Sequence, residues 1–460
     1  MNSTYDISGK MMTRNIPKEV LALFQALQLS SAQTAQLRGL NDLEWKSLLS
    51  FCEMSYLTMP LLQAQNDGIP SWVVEHLERN ATDNARRFDR VKATYLEVAK
   101  ALENSDVQYV VMKGFAKCPE YVSDPRLRLQ TDIDLYCPGD VIRQAHSALS
   151  AIGYRPNQRV DYYSHADHLP TLFRDEVWTW RGNAFDPEMP LPVELHFCLW
   201  NVKTTHFSVP DLDGFWGRRV MRSLDDLTFP TFCEVDGLGY YALHTLRNLL
   251  SGERVTRDAY ELAVFLHRHA QDTSFWTTWR EHHNDTLRSI QAITFCLAKA
   301  WFCCNTSPEA AVEMNNLSPA IQKWFRNFVY SPLEGMFHPN KDRVWLHMSL
   351  LNSSKEKRSI LRRALLPARL PPVKTPDVDF DEYGLARKDW PIHPHIKYLF
   401  YFVSRSVYHV RVLPSTLWHG FRWWASQRQL GGQFWIFLAA SFFLTWAFPF
   451  ISSYSISSCK

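Results

Sequence analysis

The stretch RLQTDIDLYCPG, Arg128 to Gly139, decides how the chain is read. As a strand it alternates, with Asp132 and Asp134 on one face and Ile133 and Leu135 on the other. Two like charges side by side repel, so the arrangement asks for a cation between them. Aspartate oxygens are hard ligands of the kind that suit Mg²⁺ or Mn²⁺. Such a pair also arises on solvated edges and in turns, so its neighbours must carry the argument.

Upstream, VQYVVM (Val107 to Met112) is short, apolar and β-branched, which predicts a buried strand. It runs into Lys113-Gly114 ahead of a predicted short helix, a place where backbone N–H groups and an ammonium can meet phosphate oxygens. Gly114 permits close backbone approach there. Downstream, LPVELHFCLW (Leu191 to Trp200) alternates again. Val193, Leu195, Phe197 and Leu199 face one way and Glu194, His196 and Cys198 the other. Glu194 thus projects from the same kind of surface as the aspartate pair, and a third acid is what two metals and an activated hydroxyl require.

The rest of the chain bounds these readings. Its 460 residues are 46% hydrophobic and 21% charged, which fits a folded protein of two or three units. A formal net charge of +3 gives no sign of a nucleic-acid wrapper. Nine scattered cysteines, none spaced as Cys-x-x-Cys, suit a reducing compartment and offer no zinc site. The adjacent Cys303 and Cys304 read as small buried residues in a helix. Near the C-terminus, FWIFLAASFFLTWAFPFI (Phe434 to Ile451) is free of charge and long enough to span a bilayer core. The stretch before it carries Arg405, Arg411, Arg422 and Arg428 among Trp418, Trp423 and Trp424, with no acid. That pattern predicts a single C-terminal anchor with the bulk of the chain on the cytoplasmic side.

The fold expected is α+β: a small mixed β-sheet core flanked by helical N- and C-terminal regions, with a C-terminal transmembrane helix. Residues 1–105 read as helical, with Thr82, Asp83 and Asn84 offering a cap near the start of a long helix at Ala81 to Leu102. Residues 106–230 form the core and 231–330 a second helical region. Residues 331–395, with six prolines between 367 and 394, read as linker. Residues 396–432 form the basic aromatic segment and 433–452 the membrane span.

KGFAKCPEYVSDPRLRLQTDIDLY, then Gly153-Tyr154, then VELHFCLW resembles the uncharacterised nucleotidyltransferase family of the DNA polymerase β-like superfamily. There a Lys-Gly turn, an arginine, an Asp-Ile-Asp-Leu strand and an acid-Leu-His strand recur in this order. The helical stretches LGYYALHTLRNLL and AYELAVFLHRH are similar to its downstream helices, so the likeness spans roughly residues 100 to 270. The superfamily usually carries Gly-Ser at Lys113-Gly114. The resemblance implies that Asp132, Asp134 and Glu194 are catalytic and bind Mg²⁺ (or Mn²⁺). It further implies that Lys113, Gly114 and Arg128 bind the nucleoside triphosphate, whose monophosphate passes to a hydroxyl of an unknown acceptor.

Two alternatives stand beside that reading: a catalytically inactive, membrane-tethered nucleotide-binding adaptor, and a glycosyltransferase using the Asp-x-Asp pair for Mn²⁺ and a sugar nucleotide. Arg126 reads as a solvated loop charge and His244 as a core histidine. His196 orients Glu194, contacts substrate or is structural, and SHADHLP (Ser164 to Pro170) reads as a loop leading into a strand.

Overall fold

The computed structural model describes residues 15–64, 68–156, 167–174, 178–179, 181–365 and 394–425. Among the described residues seven strands form one mixed sheet: β1 Val110–Val111, β2 Ile133–Tyr136, β3 Tyr154–Pro156, β4 Leu172–Arg174, β5 Val193–His196, β6 Val220–Leu224 and β7 Leu227–Thr231. Their spatial order is β3-β4-β5-β2-β1-β7-β6. The β2–β5 and β1–β7 pairs run parallel and the others antiparallel. The strand expected across Val107 to Met112 pairs only at Val110 and Val111.

The two faces of the sheet have different partners. Val111, Ile133, Leu135, Val193, Leu195 and Phe229 are buried in one core with the helices Ser71–Glu103 and Ile142–Ala151. Burying each such side chain is worth about 1.5–3 kcal/mol, so the alternation sets which face turns inward. Val110 and Met112 point the other way, into a larger core formed with the helices of both flanking regions. There Phe24 stacks on Phe302 with centroids 5.1 Å apart, and Phe51 on Phe337 at 5.7 Å. The N-terminal helices and those after residue 234 therefore share one interior.

The long helix Ser71–Glu103 starts ten residues before the expected Ala81, behind Pro70. The polar trio at 82–84 does not cap it: Asn84 is buried and donates to the Arg126 carbonyl at 2.6 Å. One turn on, buried Arg87 donates to the carbonyls of Gln130 at 2.8 Å and Met189 at 2.9 Å. It thereby ties down the chain just ahead of β2 and just ahead of β5. Donating to carbonyls ahead of both strands, this buried guanidinium is a rigid fork, well suited to fixing two strand approaches at once.

Helices continue past residue 330, where linker was expected: Ser331–Glu334, Arg343–Leu350 and Ser354–Leu365. Trp324 and Trp345 are buried among them. The proline-rich remainder, 366–393, lies outside the described residues. Cys303 takes a left-handed conformation that ends the helix Asp285–Phe302, so it is a terminator and not a mid-helix residue. Among the described residues no helix is long and apolar enough to cross a membrane. The expected span at 433–452 lies outside them.

Candidate active site

Parallel pairing of β2 and β5 sets Asp134 directly beside Glu194, with Tyr136 beside His196 two residues on. Residues paired in this way share a face, so the acids and His196 come together on the side opposite Ile133, Leu135, Val193 and Leu195. Ligand atoms of Asp134, Glu194 and His196 lie within 4.8 Å of one another. His196 Nε2 is 3.0 Å from Asp134 Oδ1 and 3.6 Å from Glu194 Oε2. The Lys113 ammonium is 2.6 Å from the same Asp134 oxygen.

These contacts set the charges. Burial works against ionisation of Asp134, but Lys113 and His196 hold its carboxyl well below the usual range. Glu194, half-buried, is brought down to about 2 by His168 and His196 against its desolvation. Burial opposes protonation of His196, yet its bonds to Asp134 and Glu194 raise it to about 10. Lys113 is held charged by Asp134 against the same burial. Asp132 goes the other way, raised to about 6 by burial and by the charges of Asp134 and Glu194. It is the acid for which the site supplies too little positive charge.

Gly114 has a φ of +66°, and a Cβ there would lie 2.3 Å from Gln130 Nε2. Gln130 fills that space: its Oε1 accepts from the Phe115 N–H at 3.1 Å and its Nε2 donates to the Asp132 carbonyl at 2.8 Å. The side chain thus fastens the Lys-Gly turn to the aspartate strand, and only glycine leaves it room. Thr171 donates to Glu194 Oε1 at 3.0 Å. Asp167, from the SHADHLP loop, lies behind His196 and pairs with Arg247. Of that loop, 164–166 lie outside the described residues.

Arg128 is placed elsewhere. It is buried and its Nε donates to Glu261 at 2.8 Å. Lys117 shares that carboxylate at 2.9 Å, and the Tyr241 hydroxyl donates to it at 2.7 Å. The expected phosphate contact is therefore committed to a structural ion cluster between the core and the helix Thr256–Arg268. Arg126, as expected, is a partly exposed loop charge, bound to Asp124 and Asp225. His244 is held by Asn248 and Arg247, and burial lowers its pKa to about 3, so it is neutral.

Sequence reasoning did not single out Gln130, Thr171, Glu261 or Tyr240. The Tyr240 hydroxyl is buried without a hydrogen-bond partner, in the field of Lys113, His196, Asp134 and Glu194. Its signal is faint because a tyrosine on an apolar helix face reads as core. A second group, Cys233, Asp236 and His282, also gathers possible ligands. Asp236 is already saturated there by Arg218, with both bonds at 2.8 Å, and by His283 at 3.1 Å.

The first group fits a hard divalent cation. Asp134 and Glu194 offer adjacent carboxylates beside His196, Asp132 in their field is under-neutralised, and the Tyr240 hydroxyl is buried in the same field without a hydrogen-bond partner. A pH dependence follows. Asp132 titrates near 6 when folded against about 3.9 unfolded, so its contribution favours folding below about pH 4 and is lost as pH rises through about 6. A bound cation removes that penalty. In thermal unfolding, Mg²⁺ is expected to raise the melting temperature by roughly 2 °C or more at pH 7. At pH 5, where Asp132 is protonated, the rise should largely vanish; an equal rise at both pH values would contradict the assignment.

No curated protein and no solved structure matches the chain. The signature of a family described as uncharacterised nucleotidyltransferases matches residues 41–303, more than half of the chain. The match begins well before the expected Lys-Gly turn. It takes in the helix whose Arg87 ties down β2 and β5, and it runs past the helix that supplies Glu261. With the sheet, the acid pair and their supporting helices all inside that match, the chain belongs to this nucleotidyltransferase family.

Proposed function

We propose that this protein transfers a nucleoside monophosphate from a nucleoside triphosphate to a hydroxyl of an acceptor, with pyrophosphate leaving in line, at the site formed by Asp132, Asp134 and Glu194. The observation that carries the reading is the parallel register that sets Asp134 beside Glu194, in a chain of a nucleotidyltransferase family. The three carboxylates would hold Mg²⁺ or Mn²⁺, which when bound lowers the pKa of the attacking hydroxyl and offsets charge on the phosphates.

The chain's own residues do the rest. Lys113, aimed into the acid cluster 2.6 Å from Asp134, supplies a fixed positive charge where negative charge builds on the phosphates. The Gly114 turn, locked by Gln130, brings backbone close to the same region. His196 keeps Asp134 and Glu194 ionised and oriented. Asp132 is the acid most short of positive charge, which the bound cation would supply. Arg128 acts indirectly, by bracing the sheet against the Thr256–Arg268 helix.

The reaction is placed at the cytoplasmic face of a membrane, with 433–452 as the tether. Support comes from the length and apolarity of that segment and from the arginines preceding it. The test incubates the full chain with each α-labelled nucleoside triphosphate, Mg²⁺ or Mn²⁺, and membrane or cell extract. Label on a product with the wild type but not with Asp132→Asn supports the reading. Absence of label with every nucleotide would favour the inactive adaptor, and sugar-nucleotide turnover without pyrophosphate would favour a glycosyltransferase.

A further inference from the structure

The helix Pro394–Ala425 is apolar on two opposite faces. One face is docked. The Trp423 ring stacks on Trp345 at 5.7 Å, and Gly420 lies so close to Trp345 that a Cβ would come within 2.3 Å of its ring. His419 Nδ1 is 2.8 Å from Asp342 Oδ1, and Val412 and Thr416 are buried on the same side. The opposite face carries Leu399, Val403, Val407, Val410, Pro414 and Trp418, all exposed. Their spacing of four, four, three, four and four residues keeps them in one stripe along a helix of 3.6 residues per turn. At about 1.5 Å per residue the stripe is about 29 Å long. Its five large hydrophobics are 42–71% exposed.

We propose that this stripe lies on the surface of an anionic lipid bilayer, with the helix axis in the membrane plane. Three observations select that occupant. Arg411 and Arg422 are exposed on the helix, which contains no acid, so a negatively charged surface complements it. Arg411 is exposed at the edge of the stripe, where a guanidinium reaches headgroup phosphates while the valines beside it enter the acyl boundary. Trp418 closes the stripe, and tryptophan favours the membrane interface. A second copy of the helix would set these cations against each other with no acid to pair them. The helix is too polar to cross a bilayer, which suits lying on it.

This inference is independent of the reaction and of whether 433–452 spans the bilayer. The test is hydrogen exchange by mass spectrometry on the full chain, alone and with vesicles of phosphatidylcholine or of phosphatidylcholine with phosphatidylglycerol. Amides of 399–418 are expected to exchange about fivefold or more slowly with the anionic vesicles, with little change on neutral ones. The Val407→Asp/Val410→Asp variant should lose that slowing while keeping its melting temperature, because both side chains are exposed. Unchanged exchange at 399–418 on anionic vesicles overturns the proposal, and if the chain still floats with the vesicles the tether at 433–452 stands without it. Equal slowing on neutral vesicles, or full protection before lipid is added, overturns it as well.

Discussion

Asp134→Asn should abolish nucleotide transfer, lowering the rate by at least about 10²–10³-fold, the scale on which removal of one preorganised electrostatic partner is felt. Asparagine keeps the shape of the side chain but not its charge. Lys113 and His196 both lean on that carboxylate, at 2.6 and 3.0 Å. With the charge gone, Lys113 and His196 face each other across a neutral amide, with Glu194, 3.6 Å from His196, and Asp132 left to balance them. The variant should therefore bind Mn²⁺ at least tenfold more weakly, the low end of what lost ligand-shell partners cost, and its His196 should titrate lower than in the wild type. Labelled-nucleotide transfer, Mn²⁺ binding followed by electron paramagnetic resonance, and the histidine titration followed by NMR check the three consequences separately. Wild-type transfer by the folded variant would remove Asp134 from the chemistry altogether.

Glu261→Ala is the change expected to cost most in stability, about 3–5 kcal/mol, because it strands buried charges that share one carboxylate. Arg128 and Lys117 are both buried and both bonded to Glu261, at 2.8 and 2.9 Å. Tyr241 donates to it as well, and the Lys117 ammonium sits over the Tyr241 ring. Burial has already brought the Lys117 pKa down to about 7, so without Glu261 the lysine should lose its proton and the arginine be left uncompensated. Urea unfolding of Glu261→Ala, Arg128→Ala and the double variant measures this directly. The double variant should be less destabilised than the sum of the two singles, since the second removal relieves the first. Additive losses would show that the cluster does not act as a unit.

That cluster also marks where reading the sequence stops. Arg128 lies four residues before Asp132, and the family resemblance implied a phosphate contact there. Its partner is 133 residues away, on a helix whose Glu261 has no local signature. Lys113 fared differently: it leaves β1 beside β2, so its reach toward the acid face follows from strand adjacency. Gln130 was invisible because its role depends on the space a glycine leaves sixteen residues upstream. The long helix was placed ten residues too late because Thr82-Asp83-Asn84 is a plausible cap by composition, whereas burial against the Arg126 carbonyl overrules it.

By itself the sequence determined the period-two alternation that puts Asp132 and Asp134 on one face and Glu194 and His196 on another, and the helical periodicity around them. Those patterns are local, written in side-chain spacing that any strand or helix must honour. Only the tertiary structure decided that the two faces are the same face, through the β2–β5 register. It also decided that the N-terminal helices close one core with the helices after residue 234, and that Arg128 answers to Glu261. Each is a choice among partners far apart in the chain, settled by which packing buries the most apolar surface while leaving no buried charge unpaired.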